Sequence, residues 1–165
     1  MTVDNTRQQK ALEMRPFEES LPMALLRGRE AAMQRFRPIL AEHDLTEQQW
    51  RTLRALSSTE APIDVGQVAE ATFLLGPSLS RILTNLDDRG LVTRSTDPTD
   101  QRRTLVSLTA AGIELVLKIA PRSEAEYSEV ERLLGSTRLR ELLSLLDDLA
   151  ATSPKHQERS ESRPS

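Results

Sequence analysis

Most apolar residues of this chain recur at helical spacing. In "LVTRSTDPTDQRRTLVSL", residues 91–108, two runs of alternating Thr, Val and Leu instead flank an Asp-Pro reversal. Alternation of period two marks a half-buried strand, and Asp-Pro between two such runs marks a turn. The segment therefore reads as a β-hairpin set among helices, which excludes a plain helical bundle. Its tip carries two adjacent arginines, Arg102 and Arg103, beside two acids, Asp97 and Asp100.

Helices are expected on both sides. From Leu21 to His43 the residues Leu21, Leu25, Ala32, Phe36 and Ile39 form one stripe, widened by Leu26, Met33 and Leu40, and Pro38 predicts a kink or an early end. "LTEQQW" opens a second helix with a capping box, Thr46 with Gln49, and with Leu45 placed to staple onto Trp50. "IDVGQV" repeats the device through Asp64 and Gln67, with Ile63 facing Val68, and starts a short third helix ending near Thr72. After "FLLG", Pro77 opens a fourth helix with Leu79, Ile82, Leu83 and Leu86 on one face and Gly90 as its stop. Thr109 caps a fifth, read as one kinked helix through Pro121 to Gly135. Leu139, Leu142, Leu143, Leu146 and Leu149 stripe a sixth. Residues 1–17 read as a flexible arm and residues 152–165 as a polar, disordered tail with nothing to bury.

Composition narrows the function. At 165 residues, 38% hydrophobic and 28% charged, the chain can build one core, or a small domain whose arms need a partner. No stretch approaches the roughly 20 apolar residues needed to span a bilayer, and the N-terminus lacks a signal-peptide pattern, so a cytoplasmic protein without membrane association is expected. The absence of cysteine excludes disulfides and thiolate chemistry, and His43 and His156 alone cannot make a His-rich metal site. No motif asks for a cofactor. Asp87-Asp88 and Asp147-Asp148 are adjacent on helices, so they diverge by about 100° and cannot easily share a proton or metal. An enzyme is not expected. The net charge is −3, but residues 76–108 hold five arginines against four aspartates, while residues 110–150 are net acidic.

Short capped helix, turn, polar-faced helix and basic-tipped ribbon is the order of a winged helix-turn-helix. The expected fold is thus mainly α with a small β-hairpin. A major groove about 12 Å wide admits one helix, and small side chains at its N-terminus let backbone N–H groups approach phosphates. Ser78 and Ser80 suit that place. Arg81, Thr84 and Asn85 are placed to reach base edges, arginine pairing with guanine and asparagine with adenine. A guanidinium on a rigid ribbon can enter the adjacent minor groove, where negative potential concentrates, which makes Arg102 and Arg103 candidates. Asp97 and Asp100 would orient these arginines and cap the turn, and Arg94 would fix the base of the wing. A winged helix can also serve as a protein-interaction module without reading DNA.

These residues resemble a known family. From Leu21 to about Ala150 the sequence resembles the MarR family of bacterial transcription regulators, most specifically in "RGLVTRSTDPTDQRRTLVSLTAAG" with its Asp-x-Arg at Asp100 and Arg102. "LTEQQWRTLRAL", preceded by "LLRGREAAMQRFRPIL", resembles the subgroup that controls homoprotocatechuate or 4-hydroxyphenylacetate degradation operons. The resemblance implies a homodimer on a pseudo-palindromic double-stranded DNA operator. A dimerisation helix at residues 18–44 and C-terminal dimerisation helices at residues 109–151 would flank a winged helix-turn-helix domain at residues 45–108. It also implies a small phenolic or aromatic acid effector, bound in a crevice beside the first helix. Arg15, Ser20, Arg29, His43 and Trp50 are candidates to line it. Three of them have a structural alternative: Trp50 as a core anchor, His43 as a residue matched to a helix C-terminus, Arg29 as an ion-pair partner. With no thiol to oxidise, a ligand sensor is favoured over a redox switch.

Overall fold

A computed structural model describes residues 15–153. Its helices are α1 (Leu21–Ala41), α2 (Glu47–Ser57), α3 (Val65–Thr72), α4 (Gly76–Asp88), α5 (Ala110–Leu134) and α6 (Ser136–Ala151), preceded by a 3-10 turn at Phe17–Glu19. Residues 1–14 of the expected arm and 154–165 of the expected tail lie outside the described residues.

Local chemistry sets the helix starts. The Thr46 hydroxyl accepts from the Gln49 backbone N–H at 3.2 Å, while the Thr46 N–H donates to Gln49 Oε1 at 2.8 Å. Asp64 and Gln67 form the same reciprocal pair at the start of α3, with Gly66 N–H also bonded to Asp64 Oδ1 at 2.7 Å. Pro38 lies inside α1, which ends at Ala41, one turn later; Pro121 lies inside an unbroken α5. Gly135, at φ 88°, ends α5 and leads directly into α6, a backbone angle that side chains with a Cβ resist.

The expected hairpin is β2 (Val92–Thr96) paired with β3 (Thr104–Leu108), from Val92 opposite Leu108 to Thr96 opposite Thr104. A third strand, β1 (Ile63–Asp64), adds antiparallel to the free edge of β3, giving the order β1-β3-β2. The expectation of a two-stranded ribbon is corrected here. Two residues are too few to show alternation, and it is Val106 and Leu105 across the gap, not local pattern, that make Ile63 and Asp64 a strand.

One core joins these elements. Leu53, Val68, Leu79, Leu83, Leu86, Val92, Val106 and Ile119 are essentially sealed from solvent, with Trp50 and Leu45 at the edge of the same cluster. Leu79, Ile82, Leu83 and Leu86 turn one face of α4 inward, and α4 also packs on β2. By contrast α6 has no buried residue. Leu143 is 53% and Leu145 65% exposed, and Leu21 and Leu26 on α1 and Ile113, Leu117 and Leu133 on α5 are also open. No helix among the described residues is long and apolar enough to cross a membrane.

The start of α5 is docked by its cap. Thr109 donates its hydroxyl to Gly90 O at 2.6 Å and its N–H to Leu91 O at 3.1 Å. This brings Gly112 so close to the residue before β2 that a Cβ there would lie 2.0 Å from Leu91 O. Gly112→Ala should therefore lower stability by about 1–3 kcal/mol or more through backbone displacement. Gly28→Ala, in the open interior of α1 with nothing within 4 Å of the new Cβ, should raise it by up to about 1 kcal/mol. Chemical denaturation of the two variants checks the difference in sign.

Candidate nucleic-acid interface

Burial of the leucine face of α4 decides what the opposite face offers. Ser78, Ser80, Arg81, Thr84 and Asn85 are all exposed. The helix begins at Gly76 with Pro77 in its first turn, and no side chain caps its N-terminus, which leaves N–H groups of the first turn facing outward beside Ser78. The Arg81 side chain makes no hydrogen bond or ion pair within the described residues, so its five donors are available to a ligand.

The wing is a turn built from its own acids. Asp97 Oδ1 accepts from the Thr99 hydroxyl at 2.6 Å and from the Thr99 N–H at 2.8 Å. Those two bonds, the hydroxyl first, hold the Asp97 carboxyl below its ordinary range. Among the described residues Asp97 makes no side-chain bond to an arginine, although the nearby charge of Arg103 also favours its carboxylate; of its two expected roles it fills the turn-capping one, and its own N–H closes the turn onto Arg103 O at 3.0 Å. Asp100 does bond an arginine, accepting from Arg102 N–H at 3.1 Å and Arg102 Nε at 3.2 Å. The Arg94 side chain, exposed on β2 opposite Val106, makes no hydrogen bond or ion pair within the described residues, so it ties down the wing base only through its backbone pairing.

The two tip arginines differ. The Arg102 side chain is 91% exposed, whereas Arg103, 50% exposed, donates Nε to Asp64 Oδ2 at 3.3 Å. Asp64 thus caps α3 and holds the wing with its side chain and pairs in β1 with its backbone, joining three elements through one residue.

Two further ties were not anticipated from the sequence. Arg89, just past α4, donates to Asp44 O at 2.9 Å and His43 O at 3.1 Å, fastening the end of α4 to the α1–α2 corner, where Asp44 has φ 53°. Gln49 Nε2 donates to Asn85 Oδ1 at 2.6 Å, joining the first turn of α2 to the exposed face of α4.

The residues expected around an effector have separate local surroundings in one copy of the chain. Arg15 is exposed, and Ser20 precedes α1 without a hydroxyl cap bond. Arg29 bonds Glu47, which also accepts from Arg37 Nε at 2.6 Å, while Arg37 Nη2 reaches Glu30 at 2.6 Å. This network latches α1 to the start of α2 and gives Arg29 its ion-pair role. His43 is half-buried, and its carbonyl serves Arg89. Trp50, 7% exposed, is a core anchor. Arg54, one turn along α2 and absent from the expectations, places its guanidinium carbon 6.0 Å from the indole centre; its spacing four residues after Trp50 was the available clue. A cleft of about 310 Å³ opens elsewhere, among Leu56, Ser57, Glu60, Leu108, Ile113 and Leu117, and none of the five candidates lines it.

Comparison with known proteins gives concordant matches. Residues 43–103 match the model of the MarR family. The chain is 39% identical over 142 residues to the homoprotocatechuate degradative operon repressor of Escherichia coli, covering 86% of this chain and 95% of that protein. Among solved structures it is similar to NadR in complex with 4-hydroxyphenylacetate, at 36% identity and a TM-score of 0.74, covering 85% of this chain and 99% of that one. It is also similar to the transcriptional repressor CouR bound to a 23-mer DNA duplex, at 26% identity and a TM-score of 0.74, covering 84% and 99%.

The latch has a pH signature. Hydrogen bonds from Arg37 to Glu30 and, in a separate tie between α5 and the end of α1, from Arg122 to Glu42 lower those carboxyls. At Glu47 partial burial pushes upward, but the bonds from Arg37 and Arg29 outweigh it. All three hold protons less tightly folded than unfolded, so their stabilisation is full above the ordinary value of 4.5 and is lost as pH falls through their lowered values. Thermal midpoints should stay level from about pH 7 to about pH 5 and drop below it, with a smaller acid drop in Glu47→Gln. A midpoint that rises on acidification contradicts the latch.

Proposed function

The chain belongs to the MarR family, whose members are transcription regulators rather than enzymes, and from that premise we propose that it represses an operon for degrading an aromatic compound, releasing its operator when a small phenolic or aromatic acid binds. The observation that carries the DNA half of this reading is the conjunction of an exposed Ser-Ser-Arg-Thr-Asn face on α4 with an arginine-tipped wing packed beside it. Ser78, Ser80, Arg81, Thr84 and Asn85 would occupy the major groove, and Arg102 the adjacent minor groove. Arg103 would contribute less, being shared with Asp64. The effector class follows from the relatives: one is named for homoprotocatechuate degradation, and another was solved with 4-hydroxyphenylacetate.

A single copy leaves Leu21, Leu25 and Leu26 of α1, Ile113, Leu117 and Leu133 of α5, and Leu142, Leu143 and Leu145 of α6 open to water. At roughly 25 cal/mol per Å² of apolar surface, covering them with the same faces of a second copy supplies the missing core. The homodimer would then present two α4 helices to successive major grooves, about 34 Å apart on a pseudo-palindrome. Effector binding would favour a dimer geometry in which that spacing no longer fits, a population shift in which each tenfold loss of affinity corresponds to about 1.4 kcal/mol. The site of action would be the cytoplasm, where the operator is.

The test is duplex binding by the full chain, on a sequence enriched from its own upstream region or from a random pool, across a salt series. Affinity should fall steeply with salt, and Arg102→Ala should reduce the slope of log K against log salt by about one in each half-site. Adding 4-hydroxyphenylacetate should weaken the complex at least about tenfold. Binding unaffected by Arg102→Ala removes the wing from the interface; affinity unchanged by every phenolic acid tried removes the effector.

A further inference from the structure

Phe73, Leu74 and Leu75 join α3 to α4, and only the middle one is buried. Leu74 belongs to the core, and its N–H bonds Ala69 O at 3.2 Å. Its burial turns both neighbours outward: Phe73 is 88% exposed and Leu75 79%. Phe73 ends α3 in a left-handed conformation, with φ 52°. Leu75 begins α4. Its carbonyl accepts from the Leu79 N–H at 2.9 Å, and no side chain caps that helix start.

Leucine is out of place at that position. The helices α2, α3 and α5 start on Thr46, Asp64 and Thr109, each of which accepts a backbone N–H of its own first turn. Such side chains stabilise a helix start far better than leucine does. The branched apolar side chain of Leu75 therefore serves neither the helix nor the core. Nor does it lie on α1, α5 or α6, whose open residues a second copy would cover. It does continue the reading surface. Residues three and four apart on a helix are neighbours, so Leu75 starts the row Leu75, Ser78, Arg81 and Asn85, all four of them exposed.

We propose that Leu75 is a specificity-determining residue, which reads the 5-methyl group of one thymine in each half-site. The inference rests on the reading that α4 enters the major groove, where the N-terminal residues of such a helix meet base edges. All four bases show hydrogen-bonding groups there, but thymine alone adds a methyl group, for which an apolar side chain is the matching partner. Ser78, Arg81, Thr84 and Asn85 offer hydrogen bonds. Leu75 adds an apolar contact to that set, and packing it on the methyl takes both groups out of water.

Deoxyuridine isolates the effect, because it lacks only that methyl and keeps the pairing and the O4 acceptor of thymine. The experiment enriches duplexes from a random pool with the full wild-type chain and replaces each thymine of the selected site in turn by deoxyuridine. Binding of wild type, L75A, L75S and F73A is then measured on each duplex, with thermal midpoints as the folding control. At one or more thymines in each half-site, wild type should lose about fourfold in affinity on replacement, the worth of one methyl-sized group removed from water. L75A and L75S should bind the thymine and uracil forms of one such position alike, while other positions keep their order. L75S should at the same time keep a thermal midpoint at or above that of wild type, since serine can cap α4. F73A removes a larger apolar side chain from the same turn without altering the start of α4, and it should keep the methyl preference. A methyl preference that survives at every position in L75A or in L75S, or that disappears in F73A, overturns the role of Leu75. A selected site at which every deoxyuridine is neutral to wild type overturns the inference while leaving DNA binding intact. Enrichment of no duplex at all overturns the proposed function and this inference with it.

Discussion

Burial of one face of α4 is the constraint on which the rest depends. Leu79, Leu83 and Leu86 are fully sealed and Ile82 nearly so, at roughly 1.5–3 kcal/mol for each side chain taken out of water. A helix so anchored cannot rotate about its axis without exposing that surface. The outward direction of Arg81, Thr84 and Asn85 is therefore set by what lies beneath them, and β2, packed on the same helix, places the wing relative to that face.

Polar ties then fix the remaining freedom. Arg89 fastens the end of α4 to the α1–α2 corner, Gln49 ties its side to α2, and Asp64 ties the wing to α3. Through Glu47, held by Arg29 and Arg37, the start of α2 is in turn latched to α1. A contiguous set of contacts thus runs from α1 to the face of α4. If an effector displaces α1 against α2, this is the material through which the displacement reaches the proposed reading surface.

What was legible in the sequence was local. Thr46 with Gln49 and Asp64 with Gln67 are three residues apart, so their capping boxes could be seen in six-letter strings and both are present. The leucine stripes of α4 and α6 and the Asp-Pro reversal are equally short-range. The ties that the sequence did not show depend on distant partners. Asn85 and Gln49 are 36 residues apart, and Arg103 and Asp64 are 39 apart. No spacing rule brings these together; only the packing of α2, α3 and α4 against the sheet does. The strand β1 was missed for the same reason, its two residues being defined by β3. Asp97 was close in sequence to the arginines it was expected to orient, but Thr99 offered a hydroxyl and an N–H within a tighter loop and won the carboxylate.

The central claim is that the exposed face of α4 and the tip of the wing together form the surface that meets duplex DNA. Backbone amide chemical shifts, followed residue by residue while a selected duplex is titrated into the full-length chain, test it most directly. The largest changes should fall in residues 76–88 and 97–103. Changes gathered on α6 or around the cleft at Leu56 and Ile113, with α4 and the wing unmoved, would contradict it.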